Sequence, residues 1–211
     1  MTVSRNNRKL NNETGRAYPP GRIKIVEALQ TLLKTKDFSA ITTAEIAKNA
    51  GVTEALIYKY FKDKRDLLYQ VLAEYLEDYL VDAERDLKGI KGALNKLRKS
   101  IWTHINAYAT DRVFAKILLL EVRSFSDYYK SEPYKLVKQY SNILLGIISE
   151  GVADGEIRKD LTPEFIRQII MGSIEHVCLS GVAFNRSLSP DELTEDICRF
   201  IFNGIALTPA D

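Results

Sequence analysis

The sequence predicts an all-α protein: three short N-terminal helices containing a helix-turn-helix, one long connecting helix, and a C-terminal helical bundle, about nine helices in all. Three observations carry this. Apolar residues recur at spacings of three and four through most of the chain, and the alternation expected of strands appears nowhere. The periodic segments are separated by helix-start punctuation, as in Ser131-Glu132-Pro133, Thr162-Pro163-Glu164 and Ser189-Pro190-Asp191-Glu192. Each sets a capping hydroxyl before a proline and an acid suited to the first turn. Finally, Gly51 divides two short helical patterns where the chain needs a left-handed residue, which glycine adopts without steric cost.

Composition sets the bounds. With 211 residues and 45% apolar content, the chain can hold one large domain, or a small and a medium one, around a real core. No apolar run reaches the roughly 18 residues that a membrane span requires, and the polar N-terminus lacks the apolar stretch of a signal peptide. No membrane association and a cytoplasmic location are therefore expected. Cys178 and Cys198 have no CxxC spacing, which argues for buried free thiols over a disulfide or zinc site. The net charge of +2 conceals an asymmetry: residues 1–70 hold 13 Lys/Arg against 7 Asp/Glu, and residues 71–211 hold 17 against 21. The positive excess favours encounter with a polyanion, although ordinary solvated faces carry similar charge.

In chain order, residues 1–18 read as a flexible basic arm, either inert like most tails or able to enter a DNA minor groove. Residues 19–66 form the helix-turn-helix unit and 67–211 the larger domain. Pro19-Pro20 starts a helix whose buried stripe is Ile25, Val26, Leu29, Leu32 and Leu33, ended by Asp37-Phe38-Ser39. Thr42 or Thr43 caps the next helix, and Glu45 stands at capping-box spacing from Thr42. Ala44, Ile46, Ala47 and Ala50 supply its inner face, and Val52 fills the corner after Gly51. Thr53 then caps Glu54 to Tyr60, which turns Ile57 and Phe61 inward and leaves Ala55, Leu56, Tyr58, Lys59 and Tyr60 outward or sideways. A helix, a tight glycine turn and a second helix form the unit that places its second helix in the major groove.

From Lys64 a helix runs to about Lys88, with Leu68, Leu72, Tyr75, Leu76, Tyr79, Ala83 and Leu87 along one side. At roughly 1.5 Å per residue it makes a rod of about 36 Å, long enough to join a head to a body. Lys62, Lys64 and Arg65 at its start suit a phosphate, or are plain solvated charges. Further helices are expected at about 93–109, 112–125, 132–154, 162–186 and 190–205.

Ile46-Ala47, Ala50-Gly51-Val52-Thr53, Ile57-Tyr58, Tyr60-Phe61 and Lys64-Arg65-Asp66-Leu67-Leu68 together closely resemble the signature of TetR-type bacterial transcriptional regulators. By motif the resemblance covers about residues 20–70, and beyond that length and helical pattern. It implies that Thr43, Thr53, Tyr58, Tyr60 and Lys64 touch phosphates while Ala55, Leu56 and Lys59 meet base edges. Thr42 and Glu54 complete that candidate DNA-binding surface.

Between Ile101 and Leu145 aromatic and polar residues interleave within apolar faces, which suits a ligand cavity or an ordinary core. The position of this segment resembles the ligand-binding half of the family. The candidate lining residues are Trp102, Ile105, Tyr108, Phe114 and Leu118, then Tyr140, Leu144, Met171 and Ile174. Glu121, Arg123 and Glu175 are candidate orienting groups. The two histidines, His104 and His176, read as satisfied core or interface residues. The last two helices are apolar over more circumference than one bundle can bury. Ile169, Ser173, Val177, Gly181, Phe184, Ile197, Phe200 and Ile201 are the candidate dimer interface, with burial inside a single bundle as the alternative.

The resulting expectation is a ligand-responsive repressor, a homodimer that binds double-stranded palindromic operator DNA and is released by a small apolar effector. The C-terminal half resembles regulators that sense fatty acyl-CoA, with drug-like aromatic compounds as the other class. HExxH, GxSxG, P-loop and GxGxxG patterns are lacking, so no catalytic centre, metal or cofactor is expected. A DNA-binding regulator without a ligand, and an α-helical enzyme or interaction module, are the alternatives.

Overall fold

The computed structural model describes residues 18–206. The expected N-terminal arm lies outside them, apart from its last residue. Among the described residues there are nine α-helices and no strand: α1 (Pro20–Leu33), α2 (Thr43–Ala50), α3 (Glu54–Tyr60), α4 (Lys64–Leu87), α5 (Ala93–Thr110), α6 (Arg112–Lys116), α7 (Glu132–Ala153), α8 (Pro163–Ala183) and α9 (Pro190–Ile205).

Local chemistry explains most of the boundaries. The Thr42 hydroxyl accepts the Glu45 N–H at 3.1 Å. Glu45 does not close the reciprocal half of a capping box; its carboxylate takes the Lys36 ammonium at 2.5 Å. Gly51 leaves α2 with φ +63°, and the Val52 N–H returns to Ala47 O at 3.0 Å, the glycine-ended closure expected of this turn. Asp63, Asp111, Ser131, Thr162 and Ser189 cap α4, α6, α7, α8 and α9. Ala44, expected on the inner face of α2, is exposed, because Ile46, Ala47 and Ala50 already cover the arc that meets α1.

α1, α2 and α3 pack on one another as a head, and α5 sits at the centre of the body against α4, α7, α8 and α9. The 24-residue α4 serves both. Near its start Gln70 and Glu74 hold Arg22 of α1 at 3.1 and 2.5 Å, and Tyr75 accepts from Gln30 at 2.9 Å. One turn further on, the Tyr79 ring lies among the body's aromatics.

The segment 112–125, expected as one helix, is an α-helical turn that widens into a π-turn at Ile117–Glu121 and tightens into a 3-10 turn at Val122–Ser124. Side chains take carbonyls there that a regular helix would pair with backbone N–H groups. Arg123 Nε donates to Leu118 O at 3.1 Å, and Ser124 Oγ to Glu121 O at 3.2 Å. This irregular segment also meets the head: Glu121 accepts the Phe38 N–H at 3.2 Å, Lys116 Nζ donates to Lys36 O at 2.8 Å, and Phe125 packs edge-on against Phe38.

Candidate nucleic-acid interface and effector core

α3 is held by Ile57, which is fully buried, and by Phe61 just beyond its end. Thr53, Glu54, Ala55, Tyr58 and Lys59 are left exposed, Tyr58 by 55%. The Thr53 hydroxyl makes no capping bond, which leaves it open to an outside acceptor. Thr43 Oγ1 donates to Glu54 Oε2 at 2.8 Å, so the first turns of α2 and α3 are tied across the glycine corner. The exposed hydroxyls, phenol and ammonium can donate to phosphate oxygens, and Lys59 is long enough to reach base edges.

Three expected members of that surface lie deeper than expected. Leu56 and Tyr60 are half-buried and lean on Gly21, where an added Cβ would come within 2.9 Å of Leu56 Cδ2. Leu56 therefore packs α3 onto α1 and offers bases little area. Lys64 turns inward: its ammonium donates to Phe38 O at 2.9 Å and Ile41 O at 2.5 Å and lies over the Phe38 ring. Burial lowers its pKa, opposed by the nearby Glu121 carboxylate. It staples the α1–α2 connection: Phe38 O already takes the Ile41 N–H, and Ile41 O, just past the 3-10 turn, needs a donor that a four-carbon stem can bring.

In the body, Ile105, Tyr108, Phe114, Leu118, Tyr140, Leu144 and Ile174 are all buried, and Met171 is half-buried against the same core. Trp102 is not among them. It faces α9, donates from Nε1 to Asp191 at 2.7 Å and carries Lys99 over its ring. Glu121 likewise serves the joint with the head and does not point into the core. Arg123 and Glu175 form a two-pronged pair at 2.8 and 2.7 Å, which raises the Arg123 pKa. Two clefts of about 310 and 410 Å³ lie elsewhere, beside the α8–α9 connection and between Phe38, Lys64 and Phe125. The buried candidates fill a packed core and line neither cleft.

That core brings two of the lining candidates, Tyr108 and Tyr140, together with Tyr79 and His104, a grouping the sequence does not show. Tyr79, His104, Tyr108 and Tyr140 pack edge to face, with ring centroids 4.8 to 5.9 Å apart. His104 Nδ1 and the Tyr108 hydroxyl are buried with no hydrogen-bond partner in the protein. The sequence predicts a satisfied core or interface residue at His104; it lies in the core, and its Nδ1 is unsatisfied. Its spacing of four from Tyr108 was the available signal. His176 is exposed on α8.

The outward side of α8 and α9 is apolar. Phe165, Ile169, Val177, Phe184 and Phe200 are exposed, Phe200 by 80%. Ser173 is partly covered. Gly181, Ile197 and Ile201 belong elsewhere: Ile197 and Ile201 are buried within the bundle, and a side chain at Gly181 would collide with Leu188. α9 packs chiefly on α5, and Gly181 makes room for Leu188 in the connection between α8 and α9. Phe165 and Leu179 were missed, although continuing the Ile169 stripe by one helical turn reaches Phe165.

A family model for the N-terminal region of bacterial regulatory proteins of the tetR family matches residues 25–71. A second, for the C-terminal region of YsiA-like proteins, matches residues 72–204. The chain is 29% identical over 186 residues to the fatty acid metabolism regulator protein of Bacillus subtilis, spanning 88% of this chain and 96% of that one. The crystal structure of FadR from Bacillus subtilis in complex with stearoyl-CoA superposes with a TM-score of 0.78 at 29% identity, over 87% of this chain and 98% of that one. The fatty acid degradation regulator FadR from Bacillus halodurans shares the fold at 22% identity, with a TM-score of 0.80 over 90% and 98%. No helix among the described residues is long and apolar enough to cross a membrane. With both regions matched in order along the chain, the protein belongs to the TetR family of bacterial transcriptional regulators: it is a ligand-responsive DNA-binding regulator and not an enzyme.

Proposed function

We propose that this regulator is a repressor that binds a palindromic operator as a homodimer and is released by a long-chain fatty acyl-coenzyme A. The observation that carries the reading is the similarity to the Bacillus subtilis regulator, which runs through head and body alike and includes a structure with stearoyl-CoA. On this reading residues 19–66 form the DNA-binding unit and 67–211 the effector and dimer unit.

Thr43, Thr53, Tyr58 and Tyr60 bind phosphates, with Thr42 and Glu54 placing the loop. Ala55 and Lys59 meet base edges. The dimer forms along the exposed apolar side of α8 and α9. Gly172 and Gly204, which have nothing within 4 Å of an added Cβ, let a second pair of helices approach there. Each copy then holds one reading head at a fixed distance from the other.

Release requires that the effector favour a body whose heads no longer match adjacent grooves, by the difference in its affinity for the two forms. The contacts of Lys116, Glu121 and Phe125 with the connection after α1 are the route by which the body constrains the head.

Fluorescence anisotropy on labelled promoter fragments tests the proposal. Affinity should fall steeply with salt, as phosphate contacts require. Stearoyl-CoA should release the DNA, and free coenzyme A should not. Release by a flat aromatic compound with no response to acyl-CoA of any chain length would overturn the choice of effector.

A further inference from the structure

We infer that Tyr108 and His104 form the subsite that receives the thioester carbonyl of the effector, an uncharged oxygen acceptor set between two apolar or extended stretches. The inference rests on the acyl-CoA reading and adds to it the chemical group that is recognised.

The geometry is specific. The two residues stand one turn apart on α5, so their side chains share a face, and their ring centroids are 4.8 Å apart. His104 is 4% exposed and Tyr108 fully buried, yet the Nδ1 of one and the hydroxyl of the other have no partner. Buried polar groups are nearly always hydrogen-bonded, so an unpaired pair on a single face calls for an explanation. Tyr79, whose ring packs on His104 from α4, also leaves its hydroxyl unpaired, whereas Tyr69 donates to Asp127, Tyr75 accepts from Gln30, and Tyr140 donates to the Ser100 carbonyl. The walls beside the pair are the rings of Phe114, Tyr79 and Tyr140, which suit an alkyl chain.

Charge narrows the ligand further. Burial pushes the His104 pKa down to about 4 and raises that of Tyr108, so at neutral pH both groups are uncharged. Arg123, whose charge is felt at both residues, is occupied by Glu175 through two hydrogen bonds. A carboxylate would find no free cation there, and its desolvation would go uncompensated. A carbonyl oxygen carries no charge and has two lone pairs, which match one hydroxyl donor and one imidazole N–H donor. The pair therefore selects a thioester over the corresponding free fatty acid.

The test uses the full-length protein and two probes that differ in one oxygen, stearoyl-CoA and S-octadecyl-CoA, the thioether that lacks the carbonyl. Binding is followed by calorimetry, and unliganded operator affinity reports folding. Wild type should bind the thioester roughly tenfold more tightly than the thioether. Tyr108→Phe and His104→Phe should each reduce that ratio, mainly by weakening the thioester. A wild-type ratio near one overturns the subsite and leaves the acyl-CoA reading standing, and needs no variant. So does an equal loss for both probes in the variants, which marks a packing role. If wild type ignores both probes, the acyl-CoA reading fails, and the subsite with it.

Discussion

In the head, residues 20–61, no buried side-chain nitrogen or oxygen lacks a partner, and Tyr58 is the large apolar side chain that stands in solvent. The body reverses both properties. His104 Nδ1 and the Tyr108 hydroxyl are buried and unpaired, while Phe165, Ile169, Val177, Leu179, Phe184 and Phe200 line its outer side. A head of this kind satisfies its own groups. The body has apolar surface outside that a second copy can cover and polar atoms inside that a ligand can pair. Differential stability between bound and unbound forms belongs in the second kind of structure, since a fully satisfied core has little left to gain from an effector.

The largest expected effect breaks this contrast at the outer side of α8. Ile169→Glu with Phe165→Glu places charge on the apolar stripe and should convert a dimer to a monomer by sedimentation. A single head would then hold the operator roughly 100-fold more weakly, as expected when two linked binding events become one. An unchanged sedimentation coefficient would mean that the stripe is not the interface.

The inner anomaly has its own signature. Tyr79, Tyr108 and Tyr140 face His104, with Glu175 raising and Arg123 lowering its pKa, but burial dominates and leaves it at about 4. An unfolded histidine titrates near 6.5. Between those values the unfolded chain binds a proton that the folded chain refuses, so stability declines as pH falls through the window and is unaffected above it. At pH 5 the loss is about 2 kcal/mol. The difference in urea midpoint between pH 7.5 and pH 5 should be larger for wild type than for His104→Phe, and equal differences would show that His104 is hydrated.

The fold was legible because its boundaries are written in local chemistry. Thr42, Gly51, Asp111, Ser131, Thr162 and Ser189 act within one turn of themselves, and so do the apolar stripes that follow them. The site was legible only in part. Periodicity shows that Ile197, Ile201 and Gly181 are apolar or small, but not whether the chain's own bundle or a second copy covers them. Long side chains are worse, because their ends lie turns away from their Cα atoms. Trp102 reaches Asp191, Glu121 reaches the Phe38 N–H, and Lys64 reaches Phe38 O and Ile41 O. Lys64 yields the third prediction. Lys64→Met keeps the stem and removes the donor, so it should lower stability by about 1–2 kcal/mol through the Ile41 carbonyl left unpaired, Phe38 O keeping the Ile41 N–H. The salt dependence of operator binding should stay unchanged; a slope lower by about one would restore Lys64 to the phosphate contacts.

The smallest effect separates two threonines within the head. Thr42 and Thr53 occupy equivalent positions before α2 and α3, and a sequence reading assigns both the same capping role. Only the Thr42 hydroxyl accepts a helix N–H; Thr53 has the extended backbone of a cap without the bond. Thr42→Ala should therefore cost about 1 kcal/mol of stability, the usual value for a lost N-cap. Thr53→Ala should leave stability nearly unchanged and weaken operator binding at every sequence alike, because a free hydroxyl at the start of α3 serves the phosphate and not the helix. Thermal denaturation and anisotropy on the same two variants decide it. If Thr53→Ala destabilises as much as Thr42→Ala, the hydroxyl caps α3 in solution and one phosphate contact must be struck from the proposed face.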